Sequence, residues 1–310
     1  MRRKLTKEDI KLVIDLYNNG ICQREIAQQI SCSQVTISNI LRRAKVPTRI
    51  GKKITYQDVN YSFFKKINSE ASAYFLGLLY ADGCVQNKNN AYTVSLKLKS
   101  DDQMIIEKFR DLMSPSSPIK ISDGKYSRFR INQKEICEQL ISHGCVPNKS
   151  LILEFPKTIP NKLIRHFLRG YSDGDGSIYK NKLQKTFNSK PYTNIIWKII
   201  STKQFCNQVH KILKEQLNIN CSQSLSKPKT NQITTTLLVG GNIQVMKALD
   251  WLYQDATIYL PRKYEKYLEF KKTQSPSSKV SSESSSDIDG SSIISRFNKS
   301  LEPSSASMVP

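Results

Sequence analysis

Two short stretches that nearly repeat each other constrain the fold of this chain more than any other feature. YFLGLLYADG, residues 74–83, and FLRGYSDGDG, residues 167–176, are helical runs that end in Asp-Gly. A glycine inside a helix costs about 1 kcal/mol relative to alanine, and close approach of a second helix would offset that cost. Small residues four positions apart lie on one helical face. We therefore predict that the two helices pack against each other through Gly77, Ala81, Gly170 and Gly174.

The residues that follow each stretch also match in the same order, so the chain contains an internal repeat. Gly83 aligns with Gly176, and further on VPNKS at 146–150 aligns with LPRKY at 260–264. Each copy predicts a helix, two alternating strands, a helix, two alternating strands and a helix. We predict an α+β fold in which a pseudo-twofold pair of αββαββα halves forms a saddle.

The predicted strands alternate apolar residues with lysine, arginine, serine, threonine and asparagine, as AYTVSLKLK at 91–99 illustrates. Such alternation gives each sheet one face for the core and one polar face. Two curved sheets of this kind would present a basic saddle. When the strand charges are considered alone, an ordinary solvated face explains them at least as well.

The net charge favours nucleic acid as the partner. The 310 residues include 48 Lys and Arg against 26 Asp and Glu, a formal charge of +22. Such an excess favours an extended polyanion over a small acidic substrate. An anionic membrane is the competing polyanion, but no basic amphipathic helix stands out, and the longest apolar run, AYFLGLLYA, is too short to span a bilayer. We therefore expect double-stranded DNA or another nucleic acid, and no membrane partner.

The cysteines and the N-terminus bear on the compartment. Seven cysteines, an odd number with no CxxC pair, are typical of reduced core residues. The basic start MRRKLTKEDI leads into no apolar segment, so we expect an intracellular protein that is not secreted. The sequence leaves open the cytoplasm or nucleoid, the nucleus and an organelle.

Residues 1–48 predict a helix-turn-helix domain. LTKEDIKLVIDLYNNG predicts a helix capped by Thr6, and two further helices, QREIAQQI and SQVTISNILRR, follow with only a tight turn between them. Ser31 stands at that turn, where such domains usually have a glycine. A plain three-helix bundle used for dimerisation is the alternative.

The same helical pattern separates a core from an outward face. The small residue Ala27 is predicted to lie where the two helices touch, and the residues predicted to form the small core are Ile26, Ile30, Ile37 and Ile40. The residues predicted to face DNA from the third helix are Ser33, Gln34, Thr36, Asn39, Arg42 and Arg43.

Composition sets the remaining boundaries. Residues 49–69 are basic with little helical period and are predicted to form a linker. The two halves of the repeat are assigned to residues 70–160 and 161–272. Residues 273–310 are rich in serine and predict a disordered tail.

Each of the two helices ends in an acid, Asp82 or Asp175. A helix C-terminus already carries partial negative charge, so a carboxylate there is disfavoured by roughly 0.3 to 1 kcal/mol. If two such ends lie side by side, their repulsion calls for a cation, and a divalent metal with oxygen ligands is suited to that position. For either stretch alone, Asp-Gly is explained equally well as a simple turn. The paired occurrence favours the cation.

Both stretches resemble the motifs of the LAGLIDADG homing endonucleases in their single-chain form with two motifs. FLGLLYADG at 75–83 and LRGYSDGDG at 168–176 keep the internal glycine and the terminal Asp-Gly, and the similarity extends over about residues 60–272. The resemblance implies that the paired helices form the interface and that the two sheets read double-stranded DNA. It also implies that Asp82 and Asp175 are catalytic ligands of Mg²⁺ or another divalent cation at the scissile phosphates.

The motif differs between the copies at one earlier position. Tyr80 stands where the family motif has an acid, whereas Asp173 keeps that acid. Because the role of this position varies, we assign no metal to Asp173.

The implied reaction is hydrolysis of phosphodiester bonds, giving a double-strand break at a long recognition site. Paired metal ions supply the activated water and the charge neutralisation, so no dedicated general base is required. His166 is accordingly predicted to pack between helices. Lys149 and Lys263 are the candidates for a catalytic lysine that polarises the phosphate, and a surface or helix-capping lysine is the alternative for each. With both motifs in one chain, we expect a monomer.

Three other functions are compatible with parts of this pattern. A transcriptional regulator can use a helix-turn-helix joined to the same fold, but such proteins lack the metal-binding acids that this chain keeps. An intron RNA maturase would bind intron RNA on the same surface, and the sequence leaves that open. An intein is disfavoured, because the chain begins with Met and lacks a C-terminal His-Asn.

Overall fold

The computed structural model describes residues 5–47, 58–88, 91–183, 192–225 and 233–274 of the chain. These residues belong to two compact units, 1–57 and 58–310. The first part of the predicted linker, residues 49–57, and the predicted tail from residue 275 onward lie outside the described residues.

The first unit contains three short helices. They are α1 (Lys7–Asn18), α2 (Gln23–Gln29) and α3 (Gln34–Arg43). Thr6 caps α1: its hydroxyl accepts a hydrogen bond from the Asp9 amide, and the Asp9 carboxylate accepts one from the Thr6 amide. This reciprocal pair satisfies two of the amides that the start of a helix leaves without partners. Three helices therefore form where the sequence predicts them.

The core of the first unit differs from the prediction at one residue. Ile40 is only partly buried, whereas Leu41 is 4% exposed and lies in the core. Leu41 follows Ile37 by four residues, so the two side chains share one helical face. The other predicted core residues are buried, as are Ala27, Val13 and Tyr17; they are Ile26, Ile30 and Ile37.

Ser31, between α2 and α3, adopts the left-handed conformation with φ 54°. This is the turn at which the sequence lacks the usual glycine. An L-residue in that conformation costs roughly 1–2 kcal/mol. The chain makes the tight turn without the residue type that makes it most easily.

The second unit contains the same arrangement twice. The first copy consists of α4 (Glu70–Asp82), β1 (Gly83–Lys88), β2 (Ala91–Lys99), α5 (Gln103–Met113), β3 (Lys120–Ser122), β4 (Tyr126–Ile131) and α6 (Lys134–Ser142). The second copy consists of α7 (Ile164–Asp175), β5 (Ser177–Leu183), β6 (Tyr192–Ser201), α8 (Lys203–Leu217), β7 (Ser222–Leu225), β8 (Thr235–Gly240) and α9 (Asn242–Tyr253). A last helix, α10 (Pro261–Gln274), follows. The predicted α+β fold with two αββαββα halves is confirmed.

Each copy forms a four-stranded antiparallel sheet. The strand order is β1-β2-β4-β3 in the first sheet and β5-β6-β8-β7 in the second. In the first sheet Leu96 pairs with Phe129, and both are buried. Because side chains alternate between the faces of a strand, the intervening polar residues lie on the opposite face. Helices α5 and α6 pack against β2, and α8 and α9 pack against β6, so one face of each sheet is covered.

Residues 58–69 belong to the second unit and not to the predicted linker. Asp58 accepts a hydrogen bond of 2.8 Å from the Ser114 hydroxyl, and Phe64 is fully buried. The Phe64 carbonyl oxygen lies 2.7 Å from Nε2 of His143. The lysines of this segment are exposed, whereas Phe63 and Phe64 pack inward. The basic composition of the segment therefore concealed part of the core.

In the described part of the chain, no helix has the length and apolar character needed to cross a membrane.

Candidate active site between the two motif helices

The helices α4 and α7 touch backbone to backbone. A Cβ atom on Gly77 would collide with the carbonyl oxygen of Phe167 and would lie 2.9 Å from the Tyr171 nitrogen. A Cβ atom on Gly170 would collide in the same way with the carbonyl oxygen of Tyr74. Backbone atoms cannot rotate away as a side chain can, so both positions require glycine. The reciprocal contacts place the two helices face to face at these glycines.

The same packing continues to the ends of the helices. A Cβ atom on Gly174 would collide with the Ala81 side chain and would lie 2.9 Å from Oδ2 of Asp82. Gly174 immediately precedes Asp175, so the carboxylate at the end of α4 lies against the last turn of α7. Both acids are exposed to solvent. The structure thus brings the ends that carry Asp82 and Asp175 together on the surface.

The surroundings of the two acids favour their neutral forms. The pKa of Asp82 is raised to about 6, first because packing removes water from the carboxylate and second because Asp175 is nearby. Burial also raises the pKa of Asp175, and the charge of Lys149 opposes that rise. Among the described residues, none forms a salt bridge with either acid. The site therefore concentrates negative charge that the fold leaves without an ion-pair partner.

Lys149 and Lys263 lie at the carboxyl ends of the motif helices, where their ammonium groups donate hydrogen bonds to backbone carbonyl oxygens. Lys149 donates a hydrogen bond to the Gly83 carbonyl. Lys263 donates to the carbonyls of Asp173 and Gly176, each at 2.7 Å, and also to that of Ser172. An ammonium group has three donors, so the Lys263 donors are all used.

Both lysines have the geometry of a helix cap. Lys149 and Lys263 are buried, 9% and 5% exposed respectively. A cation next to the last carbonyls of a helix is favoured by the helix dipole. Burial lowers the pKa of Lys263 to about 8, and the Asp173 carboxylate opposes that change. The contacts match the capping alternative raised for these residues, and they hold two positive charges close to the paired acids.

Tyr80 and Asp173, which occupy matching positions in the two motifs, tie each helix to the segment that precedes its lysine. The Tyr80 hydroxyl donates a 2.6 Å hydrogen bond to the carbonyl of His143. Asp173 is fully buried and accepts hydrogen bonds of 2.8 Å from the Leu260 amide and from the Tyr74 hydroxyl. Different side chains thus make equivalent connections, and the carboxylate of Asp173 faces the interior.

The sequence analysis missed a buried ion pair that links the two motif helices. The guanidinium of Arg169, fully buried on α7, donates to Oε1 of Glu70 at the start of α4. It also donates hydrogen bonds of 2.8 Å to the carbonyls of Ile258 and Leu252. An arginine inside an apolar helical run was the signal that could have identified it, because a buried charge needs a partner.

His166 belongs to this same buried network. Its Nδ1 lies 2.9 Å from Nη1 of Arg169, and its side chain is 6% exposed. Burial and the charge of Arg169 lower the pKa of His166 to about 4. The imidazole is therefore neutral at physiological pH and accepts a hydrogen bond from the arginine.

The donor set fits a hard divalent cation that keeps other ligands. Mg²⁺ is commonly held by one or two carboxylates together with water and substrate phosphate. Asp82 and Asp175 supply two carboxylates at the surface, and loss of water is the main cause of their raised pKa values. Within the described ranges, no cluster of three or more His, Cys, Asp or Glu side chains could hold a metal ion by itself. The site therefore fits a cation completed by a phosphate.

The residues predicted to face DNA from α3 are placed as follows. Ser33 caps the helix by accepting a 3.2 Å hydrogen bond from the Thr36 amide, and its hydroxyl lies 2.8 Å from that of Thr36. Arg42 donates a 2.9 Å hydrogen bond to Oδ1 of Asn39. Thr36 and Asn39 are partly buried, whereas the exposed members of the set are Ser33, Gln34, Arg42 and Arg43.

No protein-family model matches the chain. Among curated proteins, it is 31% identical over 135 residues to a probable translation initiation factor IF-2 of Methanocaldococcus jannaschii, which is 41% of this chain and 11% of that protein. It is 24% identical over 174 residues to the DNA-directed RNA polymerase subunit Rpo1C of the same organism, which is 49% of this chain and 19% of that protein. The chain thus spans less than a fifth of the length of either curated relative.

Several solved structures are similar to the chain at low sequence identity. The meganuclease I-SmaMI bound to uncleavable DNA has a TM-score of 0.48 and 14% identity, covering 64% of this chain and 88% of that one. The homing endonuclease I-LtrWI bound to target DNA has a TM-score of 0.46 and 13% identity, covering 69% and 92%. I-SmaMI has also been solved on uncleaved DNA in the presence of calcium ions. These solved structures belong to the family that the two motifs resemble.

Proposed function

We propose that this chain is a site-specific DNA endonuclease of the LAGLIDADG homing type, which hydrolyses both strands with the help of a divalent cation such as Mg²⁺. The similar solved structures bear that activity in their names, but the proposal rests on the chain's own motifs and geometry. The observation that carries it is the contact of Asp82 with Gly174, which joins two acid-bearing helix ends on an exposed surface.

The two acids would hold the cation at the scissile phosphates. Divalent cations bound there supply an activated water and neutralise the charge that develops on the phosphate. Besides the loss of water, repulsion by Asp175 raises the pKa of Asp82, and a cation bound by both carboxylates would replace that repulsion with an attraction of each carboxylate to the cation. The backbone contact at Gly77 and Gly170 keeps the two carboxylates at a fixed separation, and that separation would set the distance between the two cleaved bonds.

Lys149 and Lys263 would act by position. Each holds the carbonyl of the glycine that follows the motif acid, and so fixes the turn from helix to strand. Their charges also favour the ionised form of Asp82, as the effect of both lysines on its pKa indicates. We therefore assign both lysines to the support of the acids, and the resemblance leaves a direct contact with phosphate as the alternative.

The polar faces of the two sheets would bind the DNA on either side of the acids. The first sheet carries Lys97, Arg128 and Lys120 at directly paired positions on that face. The net charge of +22 supplies long-range attraction for a polyanion. Because both halves lie in one chain, the enzyme would act as a monomer. The first unit would add a contact through the exposed face of α3.

A regulator that binds DNA without cutting is the second candidate. Asp173 is buried, so Asp82 and Asp175 are the motif acids that could hold a cation, and loss of either acid would turn the chain into such a regulator. Intron RNA on the same sheets is the third candidate. Neither function needs two surface carboxylates that form no salt bridge among the described residues.

The test is cleavage of a randomised duplex library with Mg²⁺, with Ca²⁺ and with chelator, followed by sequencing of the cut ends. We expect cuts in both strands with Mg²⁺ only, and binding that weakens steeply with salt. Asp82→Asn and Asp175→Asn should reduce double-strand cleavage at least a hundredfold and keep binding. Asp111→Asn, on an exposed residue of α5, is the matched control and should cut normally.

Two results would decide for the other candidates. Tight, sequence-selective DNA binding without cleavage under any metal would favour the regulator. Preference for structured RNA over duplex DNA at equal salt would favour the maturase.

A further inference from the structure

The first sheet carries a row of like charges, of which the Lys97 ammonium lies 4.1 Å from the centroid of the Tyr126 ring. Lys97 on β2 pairs directly with Arg128 on β4, and Arg128 pairs with Lys120 on β3. Directly opposed like charges destabilise a sheet. Arg130, two residues further along β4, lies on the same face and is exposed. Such a row is expected where a polyanion binds.

The equivalent row of the second sheet is uncharged. Cys84 and Ser177 occupy matching positions in the first strands of the two sheets, since each lies two residues after a motif acid. Counted from there, the row of Lys97 corresponds to Ile200 on β6 with its direct partner Thr236 on β8. The polar face therefore carries an apolar side chain here, and Ile200 is 41% exposed. Ser224 on β7 completes the row.

The neighbouring row moves its cation to the other strand, because Arg130 opposite Ser95 in the first sheet corresponds to Leu238 opposite Lys198 in the second. The Lys198 ammonium lies over the ring of Tyr179 at 5.5 Å from its centroid. Lys180 lies on the alternate side of its strand and pairs with Glu269 of α10. Within the described parts of β5 to β8, this face therefore carries one cation beside apolar side chains.

These two faces suit different bases in the major groove. Arginine is the usual side chain for guanine, whose O6 and N7 it contacts together. Aliphatic side chains and the threonine methyl group contact the thymine methyl, which is the apolar group that the major groove displays. The charge difference also indicates that the first sheet neutralises more phosphates.

We infer that the two sheets recognise chemically different half-sites. Arg128 and Arg130 of the first sheet select guanines, and Ile200, Thr236 and Leu238 of the second sheet select a thymine-rich half-site through methyl contacts. This inference deepens the proposed function and rests on it, because it requires that both sheets lie in the major groove of DNA.

The experiment removes the thymine methyl groups alone. A preferred duplex is selected from a random library with the full chain in Ca²⁺, and thymines are then replaced by deoxyuridine in one half-site at a time. A buried CH₂-sized group contributes about 0.8 kcal/mol, so each contacted thymine should weaken binding about fourfold when replaced. The weakening should be confined to one half-site. The other half-site should contain the selected guanines.

Variants assign each half-site to its sheet. Ile200→Ala and, separately, Thr236→Ser should abolish the effect of deoxyuridine at particular thymines and leave the guanine preference. Thr236→Ser removes one methyl group and keeps the hydroxyl. Arg130→Ala should relax the guanine preference in the opposite half-site and leave the thymine effect. Ile200→Val, which keeps the branched methyls, is the matched control if Ile200→Ala lowers the melting temperature.

Different results overturn different proposals. Selective DNA binding in which deoxyuridine has no effect in either half-site, or an unchanged deoxyuridine effect in both Ile200→Ala and Thr236→Ser, would overturn this inference and leave the endonuclease proposal intact. Absence of sequence-selective duplex binding would overturn both.

Discussion

The ammonium of Lys263 donates a 2.7 Å hydrogen bond to the carbonyl of Gly176, the residue that follows Asp175. Lys149 makes the same contact with Gly83, which follows Asp82. Two buried lysines at matching positions of an internal repeat thus close the ends of the two helices that carry the acids. Each buried ammonium group thus offsets the partial negative charge of its helix end, while the acid at that end stays exposed to solvent.

This contact predicts that the main effect of Lys263→Met is a lower free energy of unfolding and not a direct effect on the cleavage step. The substitution would remove the Lys263 donor from the carbonyls of Asp173 and Gly176, whereas the Ser172 carbonyl would keep its hydrogen bond from the Gly176 amide. Unsatisfied buried groups of this kind cost about 1–3 kcal/mol each, so we expect a loss of at least about 2 kcal/mol in the free energy of unfolding. Urea denaturation of the metal-free chain measures it. A stable variant with normal DNA binding and greatly slowed cleavage would instead make Lys263 a catalytic residue.

The close contact of α4 and α7 predicts that adding one methyl group at either glycine strongly lowers the stability of the second unit. Gly77→Ala and Gly170→Ala each place a Cβ against a backbone carbonyl of the other motif helix. Because neither backbone can move without separating the helices, we expect each to destabilise the second unit by about 3 kcal/mol, at the upper end for overpacking. Thermal unfolding measures this.

Gly240→Ala is the matched control, because its added Cβ would lie 3.4 Å from a Leu238 methyl and 3.9 Å from Nδ2 of Asn194, and neither atom belongs to the backbone. It should unfold within a few degrees of wild type. If Gly77→Ala is as stable as this control, the two motif helices do not touch at that residue.

Periodicity and repetition were sufficient to predict the second unit's architecture. Small residues four positions apart, Gly77 with Ala81 and Gly170 with Gly174, follow from the geometry of two touching helices. Strand alternation follows from burial of one sheet face. These are local patterns, and they recur in both copies, so each copy supports the interpretation of the other.

The buried polar network could not be predicted in the same way. The pairing of Arg169 with Glu70 joins residues far apart in the sequence, and only the helix crossing brings them together. Phe64 was hidden for a similar reason: its lysine-rich neighbours set the composition of the segment, while its burial depends on a distant part of the chain. Composition describes the surface of such a segment better than its interior.

The separate compactness of the first unit predicts the effect of its removal. Deleting residues 1–57 takes away α1 to α3 and leaves every residue of the second unit. If α3 provides an added DNA contact, the truncated chain should bind its target at least tenfold more weakly, because a tethered second contact raises overall affinity. Footprinting should show a shorter protected segment, while the metal-dependent cuts stay at the same positions.

Gln34→Ala with Arg43→Ala in the full chain is the milder counterpart, since both side chains are exposed on α3. It should shorten the footprint without unfolding the first unit. Equal affinity and an equal footprint for the truncated and full chains would assign the first unit another role, such as dimerisation, which sedimentation would reveal.

The raised pKa of Asp82 predicts how pH, metal and stability are linked. Because this pKa is about 6 in the folded chain against an ordinary 3.8, the folded state holds the proton more tightly than the unfolded state. The associated stability is present below about pH 4 and is lost as the pH rises through about 6. Divalent cations bind the ionised carboxylate, so they should restore stability at neutral pH and lower the apparent pKa of Asp82.

Cleavage at limiting Mg²⁺ should accordingly rise with pH around a midpoint near 6, and more Mg²⁺ should move that midpoint to lower pH. Melting temperatures with and without Ca²⁺ between about pH 4 and pH 8 provide the second readout, with Asp82→Asn expected to remove most of both effects and Asp111→Asn neither. A midpoint that does not respond to Mg²⁺ would show that the group controlling cleavage does not bind the metal.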